Sequence, residues 1–348
     1  MRIVSFAQMV FALCLLCTGD VQGANSNKEI ARDKSRWVGY AKGAEIKERF
    51  HVVDLDGRAV TNAIVEVVFG GVEAWNAGHC VKGLTNANGD FEVQGVTRDR
   101  IEYVIGKSGF YASGGEIVYV DTTAIPAVKD GRWQPYGKIR TVILKKMLNP
   151  VELSMSNGVK YHKYPPLGKW TGFDLCKRDW VYPDGAGEFA DVEIRISKES
   201  TVSGYVKTMD VSFTNNPCAG AYEMKADSFS ELKTVYEADT NAVFSSFFKY
   251  TFKRGVRGNE RNELPDGSYL VFRTRTKVNK DGKLLSAHYG MIVGNWRFCE
   301  KGGMAIEGLR FNPIPNDTNL EDAETVRRSR LGYRQRQELE WRRKNGLK

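Results

Sequence analysis

The run Val53-Asp54-Leu55-Asp56-Gly57-Arg58-Ala59-Val60-Thr61-Asn62-Ala63-Ile64-Val65-Glu66-Val67 decides how the first half of the chain folds, together with Leu84-Thr85-Asn86-Ala87-Asn88-Gly89-Asp90-Phe91-Glu92-Val93 and Gly106-Lys107-Ser108-Gly109-Phe110-Tyr111. Asp56-Gly57 and Asn88-Gly89 supply residues that tolerate positive φ where an antiparallel chain must reverse. Val65, Val67 and Phe69 alternate with Glu66 and Val68, and Phe91 and Val93 alternate with Asp90 and Glu92. A period of two sends one set of side chains into a core and the other to water, so these runs read as strands of a small β-sandwich. Thr141 to Lys145 reads as its closing strand, reached through a long loop around Trp133 and Tyr136.

The order D-x-D-G-x-x-V-x-x-A-x-V-x-V, then T-x-x-x-G-x-F-x-V, then G-F-Y after a further strand, resembles the carboxypeptidase regulatory-like domain over residues 45–148. That resemblance implies a prealbumin-like, seven-stranded sandwich and a non-catalytic accessory role in secreted or envelope proteins. Ala59 stands where the family usually carries Pro, and the insertion between Phe69 and Leu84 is long.

At 348 residues, with 42% hydrophobic and 11% aromatic residues, the chain is long enough to bury two separate cores. Residues 1–23 read as a signal peptide: Arg2, an apolar run from Ile3 to Cys17, and a Val21-Gln22-Gly23 end that suits signal peptidase and leaves Ala24 first. The apolar run is shorter than the roughly 20 residues needed to span a bilayer. A lipid anchor on Cys17 is the alternative, set against the bulky Leu15-Leu16 before it. The chain is therefore expected to be exported, whether periplasmic, envelope-associated or extracellular, with no transmembrane span after signal removal. Cys80, Cys176, Cys218 and Cys299 then remain. They allow two disulfides in any of three connectivities, or one bridge and two free thiols. No pair has C-x-x-C spacing, so neither zinc nor any other metal is expected.

Residues 24–44 are polar and read as a linker. Leu148-Asn149-Pro150 ends the first sandwich, because proline cannot continue a strand. Residues 149–319 form a second β-rich domain. Val192, Ile194 and Ile196 alternate with charged neighbours; Thr201 to Phe213, Phe244 to Phe252 and Met304 to Phe311 read as further strands. Tyr269 to Val278 and Leu284 to Val293 make a hairpin around Asn279-Lys280-Asp281-Gly282. The fold class that follows is mainly β, with two antiparallel sandwiches, the second open to a jelly-roll arrangement. Thr171 to Val181, His288 to Gly294 and Phe311 to Glu321 resemble blocks found in an uncharacterised family of exported bacterial proteins, a resemblance that implies export and brings no activity. Residues 320–348 form a basic helix or tail. From Val326 onward nine Lys or Arg stand against Glu338 and Glu340, which accounts for most of the formal +9 charge.

Nothing in the sequence spells a catalytic motif. There is no G-x-S-x-G and no H-E-x-x-H, and Gly106-Lys107-Ser108 has Ile101 where a phosphate loop needs glycine. The four histidines, His51, His79, His162 and His288, are scattered; His79 beside Cys80 lacks the opposed geometry of a nucleophile and its base. Asn86, Asn88 and Asp90 suit a turn better than a calcium loop. Asp174, Asp179 and Asp184 beside Trp170 and Trp180 are the carboxylates that glycoside hydrolysis would draw on. Aromatics are the stronger indication of a site. Trp170, Trp180, Tyr182, Tyr289 and Trp296 fall in or near loops and sheet faces, where a flat ring can meet a sugar or a protein. The sequence thus points to a non-catalytic exported envelope protein that needs no cofactor. It would bind a glycan or protein partner, with the basic tail free to meet an anionic surface and no role for nucleic acid. The alternative is a glycan-acting hydrolase with its site in the second domain and the first domain as accessory.

Overall fold

A computed structural model describes residues 33–70, 80–155, 161–255, 258–299 and 302–328. Residues 1–23, read above as a signal peptide, with Cys17 among them, His79 and the basic residues past Arg328 lie outside them. The protein is mainly β, built from several largely antiparallel sheets, with two short helices among the described residues. Its residues divide into two compact units, one taking the chain up to Lys107 with Ser113–Leu144, the other Ser108–Ala112 with the chain from Lys145.

In the first unit β1 (Ala44–Val53), β2 (Ile64–Phe69), β3 (Cys80–Leu84), β4 (Asp90–Thr97), β5 (Arg100–Gly106) and β6 (Ser113–Val118) are followed by two-residue strands β7 (Val128–Lys129) and β8 (Arg132–Trp133), then β9 (Lys138–Ile143). One sheet centres on β1, antiparallel to β4 and parallel to β9; the other runs β3-β2-β5-β6. The alternation expected of Val65, Val67 and Phe69 holds: all three are buried, with Glu66 and Val68 less so. Phe50 of β1 meets Tyr103 of β5 with ring centroids 4.9 Å apart, joining the two sheets. Both expected turns form, with Gly57 and Gly89 at φ 77°. Asn86 caps the second by accepting the N–H groups of Asn88 and Asp90, and Asp90 holds His51 at 2.8 Å, so this trio serves the turn.

Two expectations need correction here. Residues 34–42 are a helix rather than linker: Asp33 accepts the Ser35 N–H as N-cap, Gly43 closes the C-terminus, and Gly39 sits against Trp133 so tightly that an added Cβ would lie 2.7 Å from the ring. The stretch around Trp133 is likewise more than a loop. It forms β7 and β8, and Trp133 is fully buried with its indole N–H donated to the Thr97 carbonyl.

The second unit carries β10 (Ser154–Met155), β11 (Tyr161–Lys163), β12 (Trp170–Asp174), β13 (Asp179–Trp180), β14 (Val192–Thr201), β15 (Gly204–Ser212), β16 (Gly220–Lys225), β17 (Phe247–Gly255), β18 (Gly258–Asn262), β19 (Ser268–Val278), β20 (Leu284–Ile292), β21 (Trp296–Cys299), β22 (Gly303–Ile306) and β23 (Leu309–Phe311). They form a six-stranded sheet β13-β12-β14-β15-β17-β18, a five-stranded sheet β10-β23-β20-β19-β16 and a three-stranded sheet β11-β22-β21. Ile194, Ile196, Met209, Val211 and Tyr250 of the first meet Leu270, Phe272, Ile292 and Phe311 of the second, with Trp296 and Met304 of the third closing the same core. The five-stranded sheet is buried on its other face as well, where Tyr269, Val271, Tyr289 and Met291 pack with Leu153, Ala238 and Leu320. Burial on both faces is why Tyr269-Leu270-Val271-Phe272 is a continuous apolar run rather than an alternating one. The segment Ser108–Ala112 belongs to this unit: Tyr111 donates its backbone N–H to the Lys145 carbonyl and its hydroxyl to Glu321.

Candidate functional site

Of the five aromatics expected to offer flat faces, three are core. Trp180 stands opposite Phe173 in the β12–β13 register and meets it edge-on at 5.1 Å, with its indole N–H donated to the Lys163 carbonyl. Trp296 stacks on Tyr250 at 6.3 Å inside the main core, and Tyr289 lies in the second core. None of the three can present a ring to a ligand, because each is at most 3% exposed. Trp170, at 40%, and Tyr182, at 84%, are on the surface.

Trp170 opens β12 on the solvent face of the six-stranded sheet. Register aligns it with Arg195, Asp210 and Lys249 in one row across four strands, the members alternating in charge. The Arg195 guanidinium lies 4.6 Å from the indole centroid and donates to Asp210 at 2.8 and 3.2 Å. Asp210 is nearly buried, so it fixes the guanidinium and the guanidinium fixes the ring, a cation–π contact worth about 0.5–1 kcal/mol at such a site. Gly172 follows on the same face and lets the loop after β13 ride over the strand: a Cβ there would come within 2.7 Å of the Ala190 Cβ and 3.2 Å of Val181. That loop carries Tyr182 and Phe189, both exposed. The result is an immobilised tryptophan ring on a polar sheet face, beside a loop with two further aromatics.

The carboxylates do not gather beside it. Asp174 is buried, accepting backbone N–H groups from Cys176, Lys177, Glu188 and Phe189. Asp179 lies 3.7 Å from the buried His162 ring, and Asp184 stands in the turn that follows β13. The carboxylate that does join Asp174 is Asp191, through Arg275. Arg275 occupies a β-bulge of β19 with φ 50°, and the bulge aims its guanidinium at Asp174 Oδ1 (2.8 Å) and at both Asp191 oxygens (2.9 and 3.0 Å). The same guanidinium lies 4.7 Å from the Phe189 ring and 4.9 Å from the Phe311 ring. Asp191 further accepts the Leu175 N–H and the Thr274 hydroxyl. Burial pushes the Asp191 carboxyl above the ordinary carboxylate range, with Arg275 pulling it partly back. Every oxygen of this pair is committed to holding strands together, and sequence inspection could not foresee it because Asp191 and Arg275 are 84 residues apart.

Cys176 and Cys218, counted among the cysteines available for disulfides, are both free thiols; Cys176 is half-buried and burial raises its thiol above the usual range. Cys80 is exposed on β3, and Cys299 ends β21. Among the described residues no group of three or more His, Cys, Asp or Glu side chains is placed to hold a metal ion, and no helix is long and apolar enough to cross a membrane.

No protein-family model matches the chain, and no curated protein matches it. Among solved structures it is similar to the 3-chlorocatechol 1,2-dioxygenase of Rhodococcus opacus 1CP, with TM-score 0.25 and 12% identity over 30% of this chain and 61% of that one. It is also similar to the catechol 1,2-dioxygenase of Acinetobacter radioresistens, with TM-score 0.25 and 14% identity over 32% and 55%, and to a streptococcal ancillary pilin, with TM-score 0.19 and 8% identity over 80% and 62%. The chain spans less than two thirds of each of these structures, and TM-scores of this size define no shared fold.

Proposed function

We propose that this is an exported, non-catalytic envelope protein that binds a glycan on the Trp170 face of its second unit. The carrying observation is the pinned ring: Trp170 held on Arg195, itself fixed by Asp210, with Tyr182 and Phe189 on the adjacent loop. Pyranose rings offer apolar C–H faces, and a pre-fixed aromatic meets them with little loss of side-chain entropy. Export rests on the signal-like residues 1–23, and the basic tail would favour an anionic surface. The first unit is read as a carboxypeptidase regulatory-like accessory module, a reading supported by its two sheets and the Gly57 and Gly89 turns at the motif positions. The hydrolytic alternative would need two carboxyls facing an open cleft, whereas Asp174 and Asp191 are enclosed and fully bonded. A glycan array with the purified chain tests the proposal. Binding that Trp170→Ala lowers by about tenfold or more supports it; binding indifferent to that change removes the nominated face.

A further inference from the structure

The helix over Lys34–Lys42 sits the opposite way round from most surface helices, which set an apolar stripe on the protein and polar residues in water. Polar groups and a glycine fix it to the first unit. The Asp33 carboxylate accepts the Ala127 N–H at 2.6 Å and the Ser35 hydroxyl accepts the Val128 N–H at 3.0 Å, while Arg36 donates to the Thr122 carbonyl at 2.6 Å and Gly39 packs on Val128 and Trp133. At 3.6 residues per turn, Ser35 and Gly39 on the inner side leave Lys34, Trp37, Val38, Tyr40 and Ala41 on the outer arc. Trp37 is 66% exposed and Val38 and Tyr40 are each 51% exposed, with the Trp37 and Tyr40 rings meeting edge-on at 6.5 Å. Val96, also half-exposed, lies at the C-terminal end, where a Cβ on Gly43 would come within 2.8 Å of it. Charge follows the same segment. From Ala24, the residue that signal removal would leave first, to Lys42 the chain carries Lys28, Arg32, Lys34, Arg36 and Lys42 against Glu29 and Asp33. Asp33 is committed to the cap and to Ala127, and Glu45 beyond the helix pairs with Arg132 at 3.1 Å. Lys34 and Lys42 are exposed at the two ends of the helix.

We infer that this helix docks on an anionic lipid bilayer, with Trp37, Val38 and Tyr40 sunk among the headgroups and Lys34 and Lys42 against the lipid phosphates. Indole and phenol rings suit that depth because each has an apolar body and a polar edge, and lysine stems reach along the apolar layer while their ammonium groups stay in water. Two observations choose a bilayer over a second copy of the chain. A two-fold contact through this face would set its basic ends against their own counterparts, whereas anionic headgroups complement them. The apolar run from Ile3 to Cys17, read as the export signal, is separated from the helix only by residues 18–33, so the helix is joined to the part of the chain that is delivered to a membrane. A nine-residue helix with three large apolar side chains gives reversible attachment to a surface and not a span. The inference shares with the proposed function only the export of the chain; it does not depend on glycan binding at Trp170 or on the basic tail.

The test is flotation of the chain from Ala24 onward with vesicles of phosphatidylcholine alone, of phosphatidylcholine mixed with phosphatidylglycerol, and of that mixture with brominated acyl chains, which quench a tryptophan only on contact. Binding to the phosphatidylglycerol vesicles is expected, weakening as salt rises and falling by about tenfold or more in Trp37→Ser and in the double change Lys34→Gln with Lys42→Gln. Bromine quenching is expected in wild type and lost in Trp37→Phe, which keeps an apolar ring and the binding. Trp37, Lys34 and Lys42 are exposed, so all these variants should melt with wild type. The inference is overturned if phosphatidylglycerol vesicles are not bound, if binding is indifferent to Trp37→Ser, as it would be were the basic tail alone responsible, or if quenching survives Trp37→Phe. A dimer in sedimentation that Trp37→Ser dissolves would likewise overturn it, by giving the face to a second copy. Trp170→Ala should leave vesicle binding unchanged, so loss of the glycan reading and loss of this one are told apart.

Discussion

Arg275 and Lys207 are both cations carried into the second unit on strands, and their surroundings differ. Arg275 spends its planar fork on two buried carboxylates and lies close to Phe189 and Phe311. Lys207 faces two tyrosine rings and stands opposite another lysine. The first arrangement is closed: charge, hydrogen bonds and backbone bulge all serve to lock β19 to the segment after β13. The second lays an ammonium against rings and donates to the Tyr164 hydroxyl, with a like charge across the strand pair. A guanidinium suits the first role because it offers directed donors to several oxygens at once, while a compact ammonium suits the second.

Breaking the closed arrangement should have the largest effect. Arg275→Leu strands Asp174 and Asp191 without their cation and is expected to destabilise the protein by about 3–5 kcal/mol in chemical denaturation at pH 7. The deficit should shrink on acidification. Asp191 already has a raised folded pKa, so its native carboxyl takes a proton more readily than in the unfolded chain; its contribution favours folding at low pH and is lost as pH rises through that raised value. Removing Arg275 raises it further, so the variant should come closer to wild type at pH 5 than at pH 7, and a constant gap would contradict the assignment. Next in size is Lys207→Met, which removes a cross-strand repulsion and buries a chain of similar volume. Stability equal to wild type or higher by up to about 1 kcal/mol is expected, and a loss above about 2 kcal/mol would mean that Lys207 is a structural pin like Arg275. Smallest is Arg195→Ala on the solvent face, where the guanidinium is half-exposed although Asp210 is nearly buried; the change should cost about 1 kcal/mol in melting experiments while loosening Trp170.

Much of the sheet structure could be read from sequence, because alternation and turn chemistry are local. Val65, Val67 and Phe69, the Gly57 and Gly89 turns, and the hairpin of β19 and β20 around Asn279 to Gly282 lie where the pattern puts them. The helix over Lys34–Lys42 was hidden because its apolar residues Trp37, Val38 and Tyr40 stay exposed instead of marking a buried face, and its stability comes from the Asp33 cap and from contact with Trp133, about a hundred residues away. Aromatic placement was only partly legible. Trp180 and Trp296 sit near turns, yet register turns them inward, and no local pattern separates an inward from an outward ring at the end of a two-residue or four-residue strand. The lysine pair of β14 and β15 did leave a signal. Lys198 shares parity with Val192, Ile194 and Ile196, and Lys207 with Met209 and Val211, so charged residues stand at core parity at the far ends of two strands. What the sequence withheld was their pairing, since only the β14–β15 register sets one lysine opposite the other.

The most direct test measures the melting temperatures of Arg275→Leu and Lys207→Met side by side at pH 7. Arg275→Leu is expected to melt well below wild type, and Lys207→Met to keep the wild-type melting temperature. If Lys207→Met melts as early as Arg275→Leu, the distinction between a cation locked by two carboxylates and a cation laid against rings is wrong.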